Sequence, residues 1–281
     1  MRRITSGHTR QTCARTLALA LFAAAALGAC SQASGSDGMS YGPAVKLGRG
    51  TARTYVTLVN GTPEIGVALT EGALSGLPGE HAAGGVEAHG HVTFEQVLDL
   101  PADNPTPFRH VLLNWNPRGH EPPGIYDTPH FDFHFYTIES DERLTIDPAD
   151  PDYQRKAERK PDAQWIPARY VMPAPLAFAR MGVHWVDTMS SELRGQPFTR
   201  TLIYGTWDGK VIFVEPMITK AYLESRPQFS AEAPAPPRGR GDGFYPEGYS
   251  VRWDSAAREY RIALTGVGVG RQLSATRSTS P

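Results

Sequence analysis

Hydrophobic and polar positions alternate most regularly between His130 and Tyr136, where the chain reads HFDFHFY. Successive side chains of a β-strand point to opposite faces, so this pattern predicts a strand with one aromatic and one polar face. The three phenylalanines belong in a hydrophobic core, and the opposite face then either meets water or lines a polar pocket. The polar face carries His130, Asp132, His134 and Tyr136.

Three pairs of β-rich runs are separated by short turn segments and predict β-hairpins. Two of the turns contain Asn60-Gly61 and Asp208-Gly209, dipeptides that favour the type I′ turn of a tight hairpin. The paired runs are 51–58 with 64–69, 198–204 with 211–217, and 249–253 with 260–264. Further strands are expected at 91–98, 108–115 and 181–187, and short helices at 140–144 and 221–225. About ten short strands with only brief helices predict a mainly β fold, an antiparallel sandwich or barrel.

The first thirty residues have the layout of an export signal. Four arginines precede an apolar run, 17–27, that is too short to cross a bilayer comfortably, and Leu27-Gly28-Ala29-Cys30 closes that run. This segment resembles a bacterial lipoprotein signal, and the resemblance implies cleavage before Cys30 and acylation of that cysteine. The alternative is an ordinary secretory signal that contains a chance cysteine.

Processing at Cys30 changes what is expected of the mature chain. Cys13 leaves with the signal and Cys30 is modified, so no disulfide is expected. The signal carries four arginines and no acidic residues, which leaves 24 basic against 29 acidic residues. This excess of acids argues against nucleic acid as a partner. Ser31 at the second mature position favours a cell-envelope protein that is anchored by lipid to the outer membrane and faces the periplasm.

The sequence divides into four parts. Residues 1–29 are the predicted lipoprotein signal peptide, 30–48 a flexible tether, 49–267 a single β-rich domain and 268–281 a disordered polar tail. No break in composition divides the β-rich domain further.

The polar face of the central strand is the best candidate for a chemical site. Imidazole and carboxylate ligands must converge on a metal ion, with bonds of about 2.0–2.2 Å. On a straight strand the α-carbons of His130 and His134 are about 13 Å apart, so both cannot bind one ion. Asp132 with either histidine is a better pair of ligands for a divalent transition metal. His184, on a neighbouring strand, is then the leading candidate for the third ligand. Weaker candidates are Glu215 and His120, and Tyr136 shares the same face.

Two metal-free interpretations of this face remain open. It could form a polar pocket for a small ligand, or a purely structural ladder in which Asp132 orients the imidazoles by hydrogen bonds. His89-Gly90-His91 also has chelating spacing, but its Gly-rich surroundings predict an exposed loop. The sequence contains no Ser-His-Asp signature, phosphate-binding Gly loop or nucleotide fingerprint.

Several longer motifs resemble those of one bacterial family. They are GTARTYVTL (50–58), EIGVALTEGAL (64–74), WNPRGHEPPGIYDTPHFDFHFY (115–136), MGVHWVD (181–187), GQPFT (195–199) and IYGTWDGKVIFVEPMIT (203–219). Together they span 50–266 and are similar to a family of secreted proteins and lipoproteins with a domain of unknown function, related to a sigma-E-controlled hypothetical protein of Thermus. The resemblance implies a β-rich fold and a homo-oligomer, and it implies no activity.

Three functions are compatible with the sequence. The first is an envelope lipoprotein whose oligomeric β domain binds a metal or a small ligand. The second is a cupin-like metalloenzyme acting on a small periplasmic substrate, in which Asp132, His134 and His184 hold the ion. Glu215 or Tyr136 would then transfer protons. The third is a structural homo-oligomeric assembly protein whose polar strand face is an interface. The pattern departs from that of cupins, because it reads His-x-Asp-x-His and no glutamate follows at the expected distance.

Overall fold

The strand with alternating phenylalanines and polar residues lies inside a large antiparallel sheet. A computed structural model of the protein describes residues 38–88, 91–173, 177–240 and 244–268. In these ranges the strands are β1 (Ser40–Tyr41), β2 (Val45–Leu47), β3 (Gly50–Val59), β4 (Thr62–Thr70), β5 (Val86–Ala88), β6 (His91–Asp99), β7 (His110–Asn116), β8 (His130–Tyr136), β9 (Tyr170–Val171), β10 (Ala177–Phe178), β11 (Gly182–Asp187), β12 (Arg200–Trp207), β13 (Lys210–Thr219), β14 (Gln228–Glu232), β15 (Gly248–Asp254) and β16 (Glu259–Thr265). The α-helices are α1 (Ser140–Leu144), α2 (Tyr153–Glu158) and α3 (Lys220–Glu224), and 3₁₀ turns cover Glu71–Leu74, Ala163–Trp165 and Glu192–Arg194.

The strands of the described residues form two antiparallel sheets. In the first sheet the order is β1-β3-β4-β16-β15-β14, and β2 also pairs with β3. In the second sheet the order is β10-β11-β12-β13-β8-β7-β6-β5, and β9 also pairs with β11. Side chains of both sheets share one hydrophobic core, so the sheets pack face to face. The prediction of a mainly β, antiparallel sandwich with a few short helices is confirmed.

The aromatic face of β8 lies in this core. Phe131, Phe133 and Phe135 are fully buried and belong to the same cluster as Val67 of β4 and Ile262 of β16. Burial of one phenylalanine side chain contributes about 1.5–3 kcal/mol, so β8 holds the second sheet firmly against the first. The polar residues of β8 are thereby fixed on the side of the second sheet that faces away from the core.

Both predicted tight turns have the backbone conformation that their sequences favour. Asn60 and Gly61 have φ angles of 52° and 79°, and Asp208 and Gly209 have 46° and 79°. Positive φ at both central residues defines the type I′ turn, so the two hairpins β3–β4 and β12–β13 are confirmed. The third predicted hairpin is β15–β16, which pairs from Gly248 to Asp254.

Short strands near the ends of the domain differ from the expectation. β1 and β2 lie within 30–48, the predicted flexible tether, and both pair with β3. The later part of that segment therefore belongs to the first sheet. β14 and α2 were not predicted either. A two- to five-residue strand carries little pattern of its own and forms because a partner strand offers backbone hydrogen bonds.

The predicted signal peptide, Cys30 and residues 30–37 lie outside the described residues, and so does the tail from 269 onward. These parts of the domain prediction stay predictions. In the part of the chain that the structure describes, the helices are too short and too polar to cross a membrane.

Candidate metal centre

The polar face of β8 is buried, although it points away from the core between the sheets. His130, Asp132 and His134 are each no more than 5% exposed. The loop 117–129 between β7 and β8 folds over this face, and its His120 packs edge-on against His130 with ring centroids 4.6 Å apart. The face is enclosed within one chain. These three residues, which the third interpretation of the sequence places at an interface between copies, are thus buried within a single chain.

Strand register brings a carboxylate and a distant histidine to His134. β13 pairs with β8, with Met217 opposite Asp132. Glu215, two residues before Met217, projects from the same face of the sheet and lies beside His134. β12 and then β11 follow in the sheet, and His184 of β11 reaches the same carboxylate.

His134, His184 and Glu215 form the first of two groups whose ligand atoms all lie within 4.8 Å of one another. We call this group the Glu215 triad. Nε2 of His134 is 3.4 Å from Oε1 of Glu215, and Nε2 of His184 is 3.4 Å from Oε2. Nε2 of His134 and Oε2 of Glu215 are buried and have no hydrogen-bond partner among the described residues. Three possible ligand atoms thus converge without satisfying one another.

The ring of Phe213 packs against both imidazoles of this triad. Its centroid lies 5.0 Å from that of His134 and 5.1 Å from that of His184. The two imidazoles are nearly perpendicular, with an interplanar angle of 80°. Phe213 can occupy this place because Gly205 has no side chain, and a Cβ there would lie 1.8 Å from the ring.

His120, His130 and Asp132 form the second group, which we call the Asp132 triad. Nε2 of His130 is 3.1 Å from Oδ1 of Asp132, and Nε2 of His120 is 3.7 Å from Oδ2. The side-chain amide of Asn116 donates a hydrogen bond to Oδ2 at 2.7 Å. Nε2 of His130 and Oδ1 of Asp132 are buried and lack a hydrogen-bond partner within the described ranges.

Burial shifts the pKa values of the Glu215 triad, and neighbouring charges decide the shift at Asp132. Burial lowers the pKa of His134 to about 4 and the pKa of His184 to about 3, so both imidazoles are neutral at pH 7. Burial, together with the charge of Asp132, raises the pKa of Glu215 well above its ordinary value. Burial also acts to raise the pKa of Asp132, but the neighbouring histidines, first His130, outweigh it and hold that pKa below its usual range. Neutral imidazoles are the form that binds metal ions.

A cavity of about 520 Å³ opens beside both triads. Its polar end carries all three members of the Glu215 triad and, from the Asp132 triad, His120 and Asp132. The remaining wall is mainly apolar and includes Ile125, Phe178, Met181, Val186, Ile203 and Met217. A largely apolar cavity of this size with a few convergent polar groups is typical of a small-molecule site.

The candidate ligands fall into two groups instead of one. The sequence analysis placed Asp132, His134 and His184 around a single ion, whereas the structure puts Asp132 in one triad and the two histidines in the other. The reason is that β11 lies three positions from β8 in the sheet, where His184 meets Glu215. His130 and His134 belong to different triads, in agreement with their spacing along the strand.

Tyr136 is a member of neither triad. Its hydroxyl donates a hydrogen bond to the carbonyl oxygen of Met181 at 3.3 Å, and its ring packs in a separate apolar cluster. The ring also stacks on His134, with centroids 5.9 Å apart. Tyr136 therefore packs against the imidazole of His134 and does not line the cavity.

Sequence reasoning missed two polar residues of this region. Asn116 lies on β7 directly opposite His130, a position that only the strand register reveals. His91 begins β6, as the predicted strand 91–98 implies, but it lines the cavity although its Gly-rich surroundings predicted an exposed position. Its Nδ1 is 3.2 Å from a carboxylate oxygen of Glu121.

Comparisons of the chain with protein-family models, with curated proteins and with solved structures gave no match. The family resemblance and the homo-oligomer that it implies therefore stay predictions. Function has to be argued from the chemistry of the site itself.

Proposed function

We propose that this chain is a lipid-anchored envelope protein that binds a divalent transition metal through the Glu215 triad and a small apolar molecule in the adjoining cavity. One observation carries the metal part of this proposal. The Nε2 atoms of His134 and His184 both lie 3.4 Å from oxygens of the buried Glu215 carboxylate. The anchor and the location rest on the lipoprotein-like segment that ends at Cys30.

The spacing of the ligand atoms fits a metal ion. With metal–ligand bonds of about 2.0–2.1 Å, two ligands of a tetrahedral ion lie about 3.3 Å apart. Both nitrogen–oxygen separations in the triad, at 3.4 Å, are close to that value. A good N–H···O hydrogen bond has a donor–acceptor distance of about 2.9 Å. The two separations, which run to different oxygens of Glu215, are thus closer to the spacing between metal ligands than to the length of a good hydrogen bond.

The donor set narrows the class of metal. Two imidazoles and one carboxylate suit zinc and non-haem iron(II), and three protein ligands leave at least one position for water or a bound molecule. All three side chains line the cavity, so a molecule in the cavity would lie against the ion. The apolar wall favours a ligand whose body is apolar and whose ligating group is a single polar atom or carboxylate.

A metalloenzyme acting on a small apolar periplasmic substrate is the second candidate. It is favoured by the three-ligand donor set at the polar end of a 520 Å³ cavity, because catalytic metal sites keep an open position whereas structural sites are closed. A metal bound there would supply Lewis-acid chemistry or an activated water. The chain's own part would be to hold the substrate along the apolar wall and to limit the access of bulk water.

Elemental analysis of the purified chain tests the metal site. We expect Glu215→Gln, and separately the His134→Ala, His184→Ala double variant, to lose one equivalent of metal relative to the wild type. His81→Ala is the matched control, because His81 is an exposed histidine away from both triads. An unchanged metal content in the double variant, with a wild-type circular dichroism spectrum, would rule out this site.

Native mass spectrometry tests the ligand part of the proposal. We expect a co-purified or added apolar molecule to appear as a mass increment on the wild-type chain. Val186→Trp should reduce that increment, because Val186 lines the cavity and an indole there fills part of its volume. Equal occupancy in the wild type and the variant would place the ligand elsewhere.

Fractionation tests the lipid anchor. Cys30→Ala removes the only cysteine that follows the predicted signal peptide, so the variant should move from the membrane fraction to the soluble fraction. A variant that still sediments with the outer membrane would show that another element holds the protein there.

A further inference from the structure

We propose that the Asp132 triad is a second metal site, so that the chain holds two divalent transition-metal ions on one face of the second sheet. The observations behind this site are independent of those that carry the Glu215 triad. These observations are the hydrogen bonds that orient His120, His130 and Asp132. Those hydrogen bonds determine which ligand atoms remain free to bind an ion.

The tautomer of both histidines is fixed by backbone carbonyl groups. Nδ1 of His130 lies 2.7 Å from the carbonyl oxygen of Thr128, and Nδ1 of His120 lies 2.8 Å from that of Glu121. A carbonyl oxygen can only accept, so each Nδ1 carries a hydrogen and donates it. In its neutral form an imidazole has one N–H, so Nε2 of each ring then presents a lone pair.

Both lone pairs face the same carboxylate. Nε2 of His130 is 3.1 Å from Oδ1 of Asp132, and Nε2 of His120 is 3.7 Å from Oδ2. Two nitrogen lone pairs and a carboxylate repel one another unless positive charge lies between them. Two separate protons, one on each ring, or a single divalent cation can supply that charge.

The distances favour one cation over two protons. The 3.7 Å contact between His120 and Asp132 is too long for a hydrogen bond. The 3.1 Å contact between His130 and Asp132 has the length of a hydrogen bond but not its geometry, and Nε2 of His130 has no hydrogen-bond partner in the part of the chain that the structure describes. The two separations lie on either side of the spacing of about 3.3 Å between ligands of a tetrahedral ion. His130 is fully buried, so its nitrogen cannot turn to water instead.

The groups behind the ligands are those that surround metal sites in proteins. Metal-binding histidines usually donate their second N–H to a carbonyl or carboxylate, and metal-binding carboxylates are themselves hydrogen-bonded. Both histidines of the triad donate to carbonyl groups, and Asn116 donates to Oδ2 of Asp132 at 2.7 Å. The site is therefore held in position before any ion arrives.

The two sites are neighbours on one strand. Asp132 and His134 are two residues apart on β8, so their α-carbons are about 7 Å apart and their side chains share a face. Both residues line the same cavity. A molecule in the cavity would thus have an ion of each triad within reach.

Calorimetric titration of the metal-stripped full chain with Zn²⁺ tests the second site. We expect two equivalents in the wild type and in the control His81→Ala. Asp132→Asn and His120→Gln should each leave one equivalent, Glu215→Gln should leave one, and Asp132→Asn with Glu215→Gln should leave none. His120 lies on a loop and is partly exposed, so His120→Gln serves as the variant that keeps its fold if Asp132→Asn does not.

The outcomes separate this inference from the proposed function. One equivalent in the wild type that Asp132→Asn and His120→Gln retain would overturn the second site and leave the Glu215 site standing. One equivalent in the wild type that Glu215→Gln retains, and that Asp132→Asn and His120→Gln lose, would overturn the Glu215 site and leave the Asp132 site standing.

Asn116→Leu gives an independent readout. Loss of a group that hydrogen-bonds a metal ligand weakens metal affinity by about 10- to 100-fold, so one of the two sites should weaken by that factor while the stoichiometry stays at two. Unchanged affinity at both sites would count against the Asp132 triad as a metal site.

Discussion

The imidazole of His134 and the carboxylate of Glu215 approach to 3.4 Å across neighbouring strands, and both side chains are almost fully buried. Burial raises the pKa of the carboxyl group well above its ordinary value and lowers the pKa of the imidazole to about 4, so both shifts favour the neutral forms. Both shifts therefore act against the charges that an ion pair needs. Buried polar atoms without partners destabilise a fold, and their presence here supports the proposal that these groups bind a metal.

The first prediction concerns Glu215→Gln in the absence of metal. The raised pKa means that, at pH values between the ordinary pKa and the raised one, folded Glu215 keeps a proton that the unfolded chain releases. Stability from this group is present at pH values below its ordinary pKa and is lost as the pH rises above it. Gln has no such dependence, so the variant should melt at a higher temperature than the wild type at pH 7 in chelator. A melting temperature equal to or lower than that of the wild type would contradict the raised pKa of Glu215.

The same variant should respond differently to metal. At a metal concentration one hundred times the dissociation constant, binding stabilises the folded chain by about 2.7 kcal/mol. For a domain of this size that corresponds to a rise in Tm of about 5–10 °C. The wild type should show this rise for the Glu215 site, and Glu215→Gln should lose it.

The second prediction concerns the aromatic face of β8. Phe133 is fully buried between the sheets, so Phe133→Ala should lower the free energy of unfolding by about 3–5 kcal/mol. Leu58→Ala is the control, because Leu58 is 62% exposed and its truncation should change stability by less than about 0.5 kcal/mol. Urea unfolding curves measure both. Similar small losses would mean that Phe133 is not in the core.

The third prediction isolates backbone strain in the first hairpin. Gly61 has a φ of 79°, and a Cβ added there meets no atom within 4 Å. Gly61→Ala should therefore cost about 1–2 kcal/mol through the left-handed conformation alone. Gly79→Ala is matched to it, since a Cβ at Gly79 also meets nothing but φ is not positive. Equal thermal stability of the two variants would speak against a type I′ turn.

The fourth prediction concerns acid stability. Burial and the positive charge of Arg143 lower the pKa of His110 to about 4. Between its ordinary pKa of about 6.5 and that value, the unfolded chain binds a proton that the folded chain does not. The contribution of His110 to stability should therefore be lost as the pH falls through this window. His110→Phe preserves the stacking on Tyr136, whose ring centroid is 5.0 Å away, and removes the titrating group.

The measurement compares urea midpoints at pH 7.5 and pH 4.5. The fall in stability should be smaller in His110→Phe than in the wild type. It should not vanish, because the pKa values of His134 and His184 are lowered into the same range. His81→Ala should fall as the wild type does, since His81 is exposed. An identical fall in His110→Phe would show that His110 is not the group responsible.

Local pattern was enough to predict the faces of β8 and the hairpin turns. The two-residue period of a strand and the positive φ of an Asn-Gly turn depend on neighbouring residues, so Phe133 and Asn60 could be assigned from the sequence. The composition of the two triads depends on register and on the path of a loop. Nothing in the sequence shows that Glu215 lies beside His134. Nor does it show that the loop 117–129 places His120 beside Asp132.

The glycine at position 205 has a consequence for the proposed metal site. Phe213 lies over Gly205 and contacts both imidazoles of the Glu215 triad. A change of Gly205 to alanine, which needs a single base substitution, would displace this ring from its place beside the two histidines. The geometry of the proposed metal site would then change while every ligand stays the same. Differences in metal content among related chains should be sought at this glycine as well as at the ligands.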